Sequence, residues 1–142
     1  MLQRTFVAIK PATVKRGLIG EVIRRFERKQ YKIIAMKMLI VDEELATKHY
    51  EEHIGKPFFN ELVEFITSGP IVAMAIEGHD AIPGIRKMIG ATNPLEAETG
   101  TIRADFAQTK ERNVVHASDS EISAKRELEL YFTDEELCEY EF

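Results

Sequence analysis

The run Arg112-Asn113-Val114-Val115-His116-Ala117-Ser118-Asp119-Ser120 sets one histidine between a β-prone pair of valines and three good helix-capping residues. An imidazole at such a junction can act as a nucleophile when a carboxylate holds one ring nitrogen and leaves the other bare. Glu127 lies far enough along the helix that follows to face back toward the sheet and supply that carboxylate. The N–H groups opening that helix carry partial positive charge and favour an arriving phosphate. The same stretch also reads as a packed strand-end histidine with an ordinary cap behind it, so the local pattern leaves both open.

Other residues bear on the choice. Lys10-Pro11 ends the first β-like run, where a lysine can project into a cleft. Arg86, Thr92 and Arg103 bracket a long aperiodic segment and would supply two forked cations and a hydroxyl to adjacent phosphates. Phe58, just past the Gly55-Lys56-Pro57 turn, can stack a flat base or simply pack into the core. Neither a Walker A loop nor a Gly-x-Gly-x-x-Gly run is present, so a nucleotide would have its phosphates held by side chains. His49-Tyr50-Glu51-Glu52-His53 matches the letters of an H-x-x-E-H zinc motif, but catalytic zinc needs a third protein ligand and an open position, the surroundings are charged, and five-letter patterns of common residues arise easily by chance.

These residues need a frame. Thr5–Ile9 reads as a strand, 17–30 as an amphipathic helix, and 31–41 as a second strand. Asp42 caps a helix expected to reach about His53, and Phe58–Thr67 forms another, ended by Ser68-Gly69-Pro70. A third strand at 71–76, a helix at 81–89, a fourth strand at 113–116 and a last helix at 120–132 complete the order. That order predicts an α+β sandwich of the ferredoxin-like type: four antiparallel strands, covered on one side by helices, with a long loop near 90–112. Loops longer than ~12–15 residues inside compact domains are usually functional or disordered, and Thr99-Gly100-Thr101-Ile102-Arg103 does not look disordered.

The 142 residues, 44% hydrophobic, suffice for a single domain spanning 1–142. No apolar run approaches the ~20 residues of a membrane span, and the N-terminus runs directly into a strand, so a cytoplasmic protein without membrane association is expected. One cysteine, Cys138, excludes an intramolecular disulfide framework and any multi-cysteine zinc site. Residues 1–40 carry 10 lysines and arginines against 2 acidic residues, whereas residues 117–142 carry 2 against 9. Arg24, Arg25, Arg28 and Lys29 fall opposite Val22, Ile23 and Phe26, so a solvated helix face accounts for the basic half more simply than nucleic-acid binding.

Seven separated segments, in order, carry a resemblance: Ala8-Ile9-Lys10-Pro11, His49-Tyr50, Lys56-Pro57-Phe58-Phe59, Ser68-Gly69-Pro70, Gly90-Ala91-Thr92-Asn93-Pro94, Gly100-Thr101-Ile102-Arg103 and Asn113 through Ser120. Together they closely resemble nucleoside diphosphate kinase over essentially the whole chain. The resemblance implies ping-pong transfer of the terminal phosphate of a nucleoside triphosphate to a nucleoside diphosphate through a phosphohistidine. By position, the pros nitrogen of His116 would be the nucleophile and Glu127 its orienting carboxylate. Lys10, Tyr50, Asn113 and Ser118 would complete the catalytic set. Lys10, Phe58, Arg86, Thr92, Arg103 and Asn113 would bind nucleotide, with Phe58 stacking on the base. Magnesium would arrive on the nucleotide phosphates with no protein cage, and a homo-oligomer, a tetramer or hexamer built from dimers, is implied. The alternative is a non-catalytic nucleotide-binding regulatory module of the same fold. The chain departs from the family pattern at Ala12-Thr13, Ala117 and Lys110.

Overall fold

The computed structural model describes residues 1–141; Phe142 lies outside the described residues. Strands β1 (Leu2–Ile9), β2 (Lys32–Leu39), β3 (Ile71–His79) and β4 (Val115–Ala117) form one sheet in the order β2-β3-β1-β4. Each neighbouring pair is antiparallel, with Ala8 opposite both Ala73 and His116. Helices α1 (Pro11–Lys15), α2 (Ile19–Arg28), α3 (Glu43–His49), α4 (Phe59–Ile66), α5 (Ala81–Ile89), α6 (Ile102–Phe106) and α7 (Glu121–Tyr131) connect and cover it. This is the expected ferredoxin-like α+β arrangement.

The helices cover both faces of the sheet, which corrects the one-sided layering expected from the sequence. Along β1, Val7 and Ile9 join a cluster with Val22 and Phe26 of α2, Ile85 and Ile89 of α5, and Ile102 of α6. Phe6 and Ala8 point the other way, into a cluster with Ala46 of α3, Ile66 of α4 and Tyr131 of α7. Alternation along β3 repeats this, Val72, Met74 and Ile76 on one side and Ile71, Ala73 and Ala75 on the other. A strand that reads as an unbroken apolar run, as Phe6–Ile9 does, is one buried on both faces.

Local chemistry sets the ends of the elements that matter. Asp42 accepts from the N–H of Leu45 at 2.8 Å to start α3, and Ser120 accepts from Ser123 at 3.1 Å to start α7. Helix α3 stops at His49: Tyr50 leaves helical geometry at φ −103° and ψ 26°, and a separate 3₁₀ turn holds Glu51–His53. The long loop contains α6, capped by Thr101, whose hydroxyl accepts from the N–H of Ala104 at 3.2 Å. Arg25, expected on the solvated face of α2, instead reaches across to Asp105 at 2.6 Å and to the carbonyl of Gly100 at 3.0 Å. The loop is therefore tied to the domain at both ends of α6. Among the described residues no helix is long and apolar enough to cross a membrane.

Candidate active site

Period-two geometry aims the histidine. Val115 and Ala117 are buried toward α2 and α5, so His116 between them projects to the opposite face, toward α3 and α7. Its ring lies 6.0 Å from that of Phe6, and its side chain is 26% exposed. His116 is thus neither sealed in the core nor free in solvent.

The expected carboxylate is in place. Nε2 of His116 lies 2.8 Å from Oε1 of Glu127, and the hydroxyl of Ser118 donates to the same oxygen at 2.8 Å. Burial alone would raise the Glu127 carboxyl, but its hydrogen bond and charge interaction with His116, together with the Ser118 hydroxyl, hold it below the usual value. An ionised Glu127 can only accept, so Nε2 carries the proton and the neutral ring presents Nδ1 as a bare lone pair.

The backbone beneath the histidine is fixed by an unusual turn. Val114 has φ +78°, and the N–H of Val115 donates to the carbonyl of Asn113 at 2.9 Å, closing a three-residue turn. This overturns the strand expected to start at Asn113: β4 begins at Val115. A β-branched residue at positive φ is held there only by over-determining contacts. The carbonyl of Val114 accepts from the N–H of Lys10 at 3.1 Å and from the hydroxyl of Thr13 at 2.9 Å. Thr13, one of the departures from the family pattern, is thereby a buried clamp on this turn.

Two arginines grip the strand on either side of His116. Buried Arg103 donates from Nε to the carbonyl of Asn113 at 3.2 Å, from Nη1 to Gly90 at 2.9 Å and from Nη2 to Val115 at 2.8 Å. Burial, then the charge of Arg86, lowers its pKa to about 10, so it remains a cation. Arg86 donates to the carbonyl of Ala117 at 3.2 Å. Gly90 must be glycine: at φ +87° an added Cβ would lie 2.5 Å from the Thr101 hydroxyl. Arg86 and Thr92 line one surface depression with Gly90 and Thr101. Lys10 donates to Oδ1 of buried Asn113 at 2.6 Å, and burial, followed by the charge of Arg103, lowers its pKa to about 8.

A row of rings leads away from His116. His49 stands 4.9 Å from it, Tyr50 4.7 Å from His49, His53 6.3 Å from Tyr50, and Phe58 5.3 Å from His53. Phe58, 43% exposed, ends the row and offers a ring to solvent, as a base-stacking surface would. Burial, reinforced by the charge of Glu127, pushes the Tyr50 hydroxyl up to about 12, so it stays a proton donor.

His116, Glu127, Ser118, Lys10, Asn113, Arg86 and Arg103 thus form one connected set, with Tyr50 reached through His49. Thr92 joins only through the Arg86 depression, and Lys110 is exposed. The sequence reading missed His49 as a neighbour of His116 and missed the turn at Val114. His49 was visible as half of the zinc-like pair and beside Tyr50 in the resemblance, but with no role of its own, and the pair is broken because α3 ends before His53.

The sequence profile of the family described as "Nucleoside diphosphate kinase" matches residues 3–137. A relative of that description from Archaeoglobus fulgidus is 58% identical over 140 residues, covering 99% of this chain and 93% of the relative. One from Methanobrevibacter smithii is 55% identical over 141 residues, covering 99% and 94%. Among solved structures, the halophilic nucleoside diphosphate kinase of Halobacterium salinarum in complex with CDP aligns with a TM-score of 0.97 at 46% identity, over 100% of this chain and 95% of that one. A transition-state mimic of the Borrelia burgdorferi nucleoside-diphosphate kinase with vanadate and ADP aligns at 0.94 and 42%, over 99% and 93%.

Proposed function

Because the chain belongs to the nucleoside diphosphate kinase family, and so moves the terminal phosphate of a nucleoside triphosphate to a nucleoside diphosphate, we propose that His116 carries that phosphate between substrates. The observation that supports this most directly is the 2.8 Å contact from Nε2 to Glu127, which leaves Nδ1 as the attacking atom. Nδ1 attacks the terminal phosphorus in line, the bond to the bridging oxygen breaks, and the nucleoside diphosphate departs with that electron pair. A second nucleoside diphosphate takes the phosphate back by the reverse displacement. Splitting the transfer this way replaces one difficult step by two easier ones.

Charge on the transferred group is balanced by Lys10, Arg86 and Arg103, and Tyr50 donates a hydrogen bond beside it. Arg103 spends three of its N–H groups on carbonyls, so the fork is held rigid before substrate arrives. Thr92 adds a hydroxyl to the phosphate path, Lys10 and Asn113 bind the ribose hydroxyls, and Phe58 stacks on the base. Magnesium would arrive with the nucleotide, on its phosphate oxygens, and would lower their charge. Among the described residues the group at ligand spacing is His49, His116 and Glu127, a nitrogen-rich set unlike the oxygen cages magnesium prefers.

We also read the chain as one domain, working in the cytoplasm where its substrates are, and as a homo-oligomer built from dimers. Support for association comes from the edge strand β2, where Met36 and Met38 are 54% and 57% exposed, next to Ile40 at 69%.

Isolated protein incubated with radiolabelled ATP and magnesium, then freed of nucleotide, should pass its label to added GDP. Protein that transfers phosphate only while both nucleotides are present would overturn the ping-pong reading. Glu127→Gln should lower kcat about 100-fold with KM little changed, because the lost tautomer control acts on the chemical step. A rise in KM at constant kcat would assign Glu127 to binding instead. Lys10, with its pKa at about 8, loses its charge above that pH. ADP, whose phosphates are already ionised, should therefore bind more weakly above about pH 8, approaching tenfold per pH unit. Calorimetry on Lys10→Ala should show weaker binding and a flat profile between pH 7 and 9.5; an unchanged slope would remove Lys10 from the phosphate site.

A further inference from the structure

We propose that His49, His116 and Glu127 form a binding site for a zinc-class divalent ion, and that its occupancy arrests the histidine. One ligand atom from each of the three lies within 4.8 Å of the others. Two imidazoles and a carboxylate are a set that borderline-soft ions such as Zn²⁺ and Co²⁺ accept and that magnesium and calcium do not favour. Metal–ligand bonds of 2.0–2.1 Å imply ligand separations of about 3.4 Å, so side-chain movements of about 1 Å close the site.

His49 is the residue that makes this more than a catalytic pair. It is 4% exposed, its Nδ1 lies 3.1 Å from the Tyr131 hydroxyl, and its Nε2 has no hydrogen-bond partner among the described residues. A buried polar atom left unpaired has a cost, and a metal on Nε2 removes it. The surrounding bonds then serve the site: Nδ1–H of His49 donates to Tyr131, and Ser118 holds the Glu127 carboxylate. Arg126, 3.7 Å from the other oxygen of Glu127, and the cations of the phosphate site oppose a second positive charge. Affinity well below that of a structural zinc site is therefore expected.

The arrest follows from the tautomer and rests on the reading of His116 as the nucleophile. A metal on Nε2 of His116 takes the position of the proton there, and the neutral ring then carries its proton on Nδ1. The lone pair that would attack phosphorus is gone. No net proton is gained or lost, and removal of the ion restores the original tautomer.

The test uses the Cys138→Ser chain, because the exposed Cys138 thiol is an independent metal ligand. Co²⁺ alone, added without nucleotide, should give the intense visible absorption of a four-coordinate ion at one equivalent per chain and be displaced by Zn²⁺. Zn²⁺ at saturation should cut label uptake from magnesium-ATP at least tenfold, and His49→Gln, whatever its own rate of uptake, should need about 100-fold more Zn²⁺ for the same fractional loss. If that variant takes no label, Tyr131→Phe keeps the histidine and should weaken the Zn²⁺ response several-fold. An unaltered Zn²⁺ response in both variants, or absence of the four-coordinate Co²⁺ band, overturns the site. Metal-free protein that takes no label overturns the nucleophile reading instead and leaves the Co²⁺ result standing on its own.

Discussion

His116→Ala should show neither label uptake from ATP nor transfer to GDP, a loss of at least about 10⁴-fold in kcat/KM, in a protein that still folds. The expectation is this large because the imidazole forms the one N–P bond of the first half-reaction and gives it up in the second, and no neighbour can replace it. His49, the closest ring, is the obvious substitute, but burial, followed by the charge of His116, holds its pKa down to about 3 and marks it as desolvated. It is also 4% exposed. Little structural penalty should accompany the change, because the part-exposed His116 ring contributes modest packing; the chief cost is the partner lost by Glu127. Circular dichroism and thermal melts of the variant check this separation, and residual transfer above about 10⁻⁴ of the parent would remove His116 from the covalent path.

Arg103→Leu should fail in two ways at once. Three buried or part-buried carbonyls, of Asn113, Gly90 and Val115, lose a charged donor. At about 1–3 kcal/mol for each group left poorly paired, and with Asn113 keeping its bond from Val115, the fold should lose about 3–5 kcal/mol. For a chain of this size that lowers Tm by about 10–20 °C. The turn at Val114 should relax as well, since Arg103 grips the carbonyls on both sides of it. Loss of a pre-aimed cation should then cost a further factor of about 10²–10³ in kcat. Arg103→Lys separates the two effects: it keeps the charge but cannot fork to three acceptors, so it should recover little of the stability. Wild-type stability in Arg103→Leu would mean that Arg103 serves the substrate alone.

What could be read from the chain was whatever depends on local chemistry. The caps at Asp42 and Ser120, the helix at Ala81–Ile89 and the pairing of His116 with Glu127 follow from side chains acting within a dozen residues of each other. Failures came where distant parts of the chain decide. Val114 belongs to a residue type that favours extended backbone, yet Lys10 and Thr13 from the far end of the sequence hold it at positive φ. The double coverage of the sheet was encoded in the unbroken apolar run of β1, but a short run of that kind is equally consistent with burial of other sorts. Helix α6 has only five residues, too short for periodicity to register, and only its Thr101 cap marks it. His49 illustrates the same limit from the other side: its letters suggested a partner four residues away, while the fold supplies one from the strand beneath it, His116 of β4.

The central claim is that Glu127 holds Nε2 and thereby directs the phosphate to Nδ1. Phosphorus NMR of the nucleotide-free protein after reaction with ATP tests it most directly, because the two isomers of phosphohistidine give distinct resonances. A single pros-phosphohistidine, absent in His116→Ala, is the predicted result. A tele-phosphohistidine, or a phosphate on any other side chain that turns over with GDP, would contradict it.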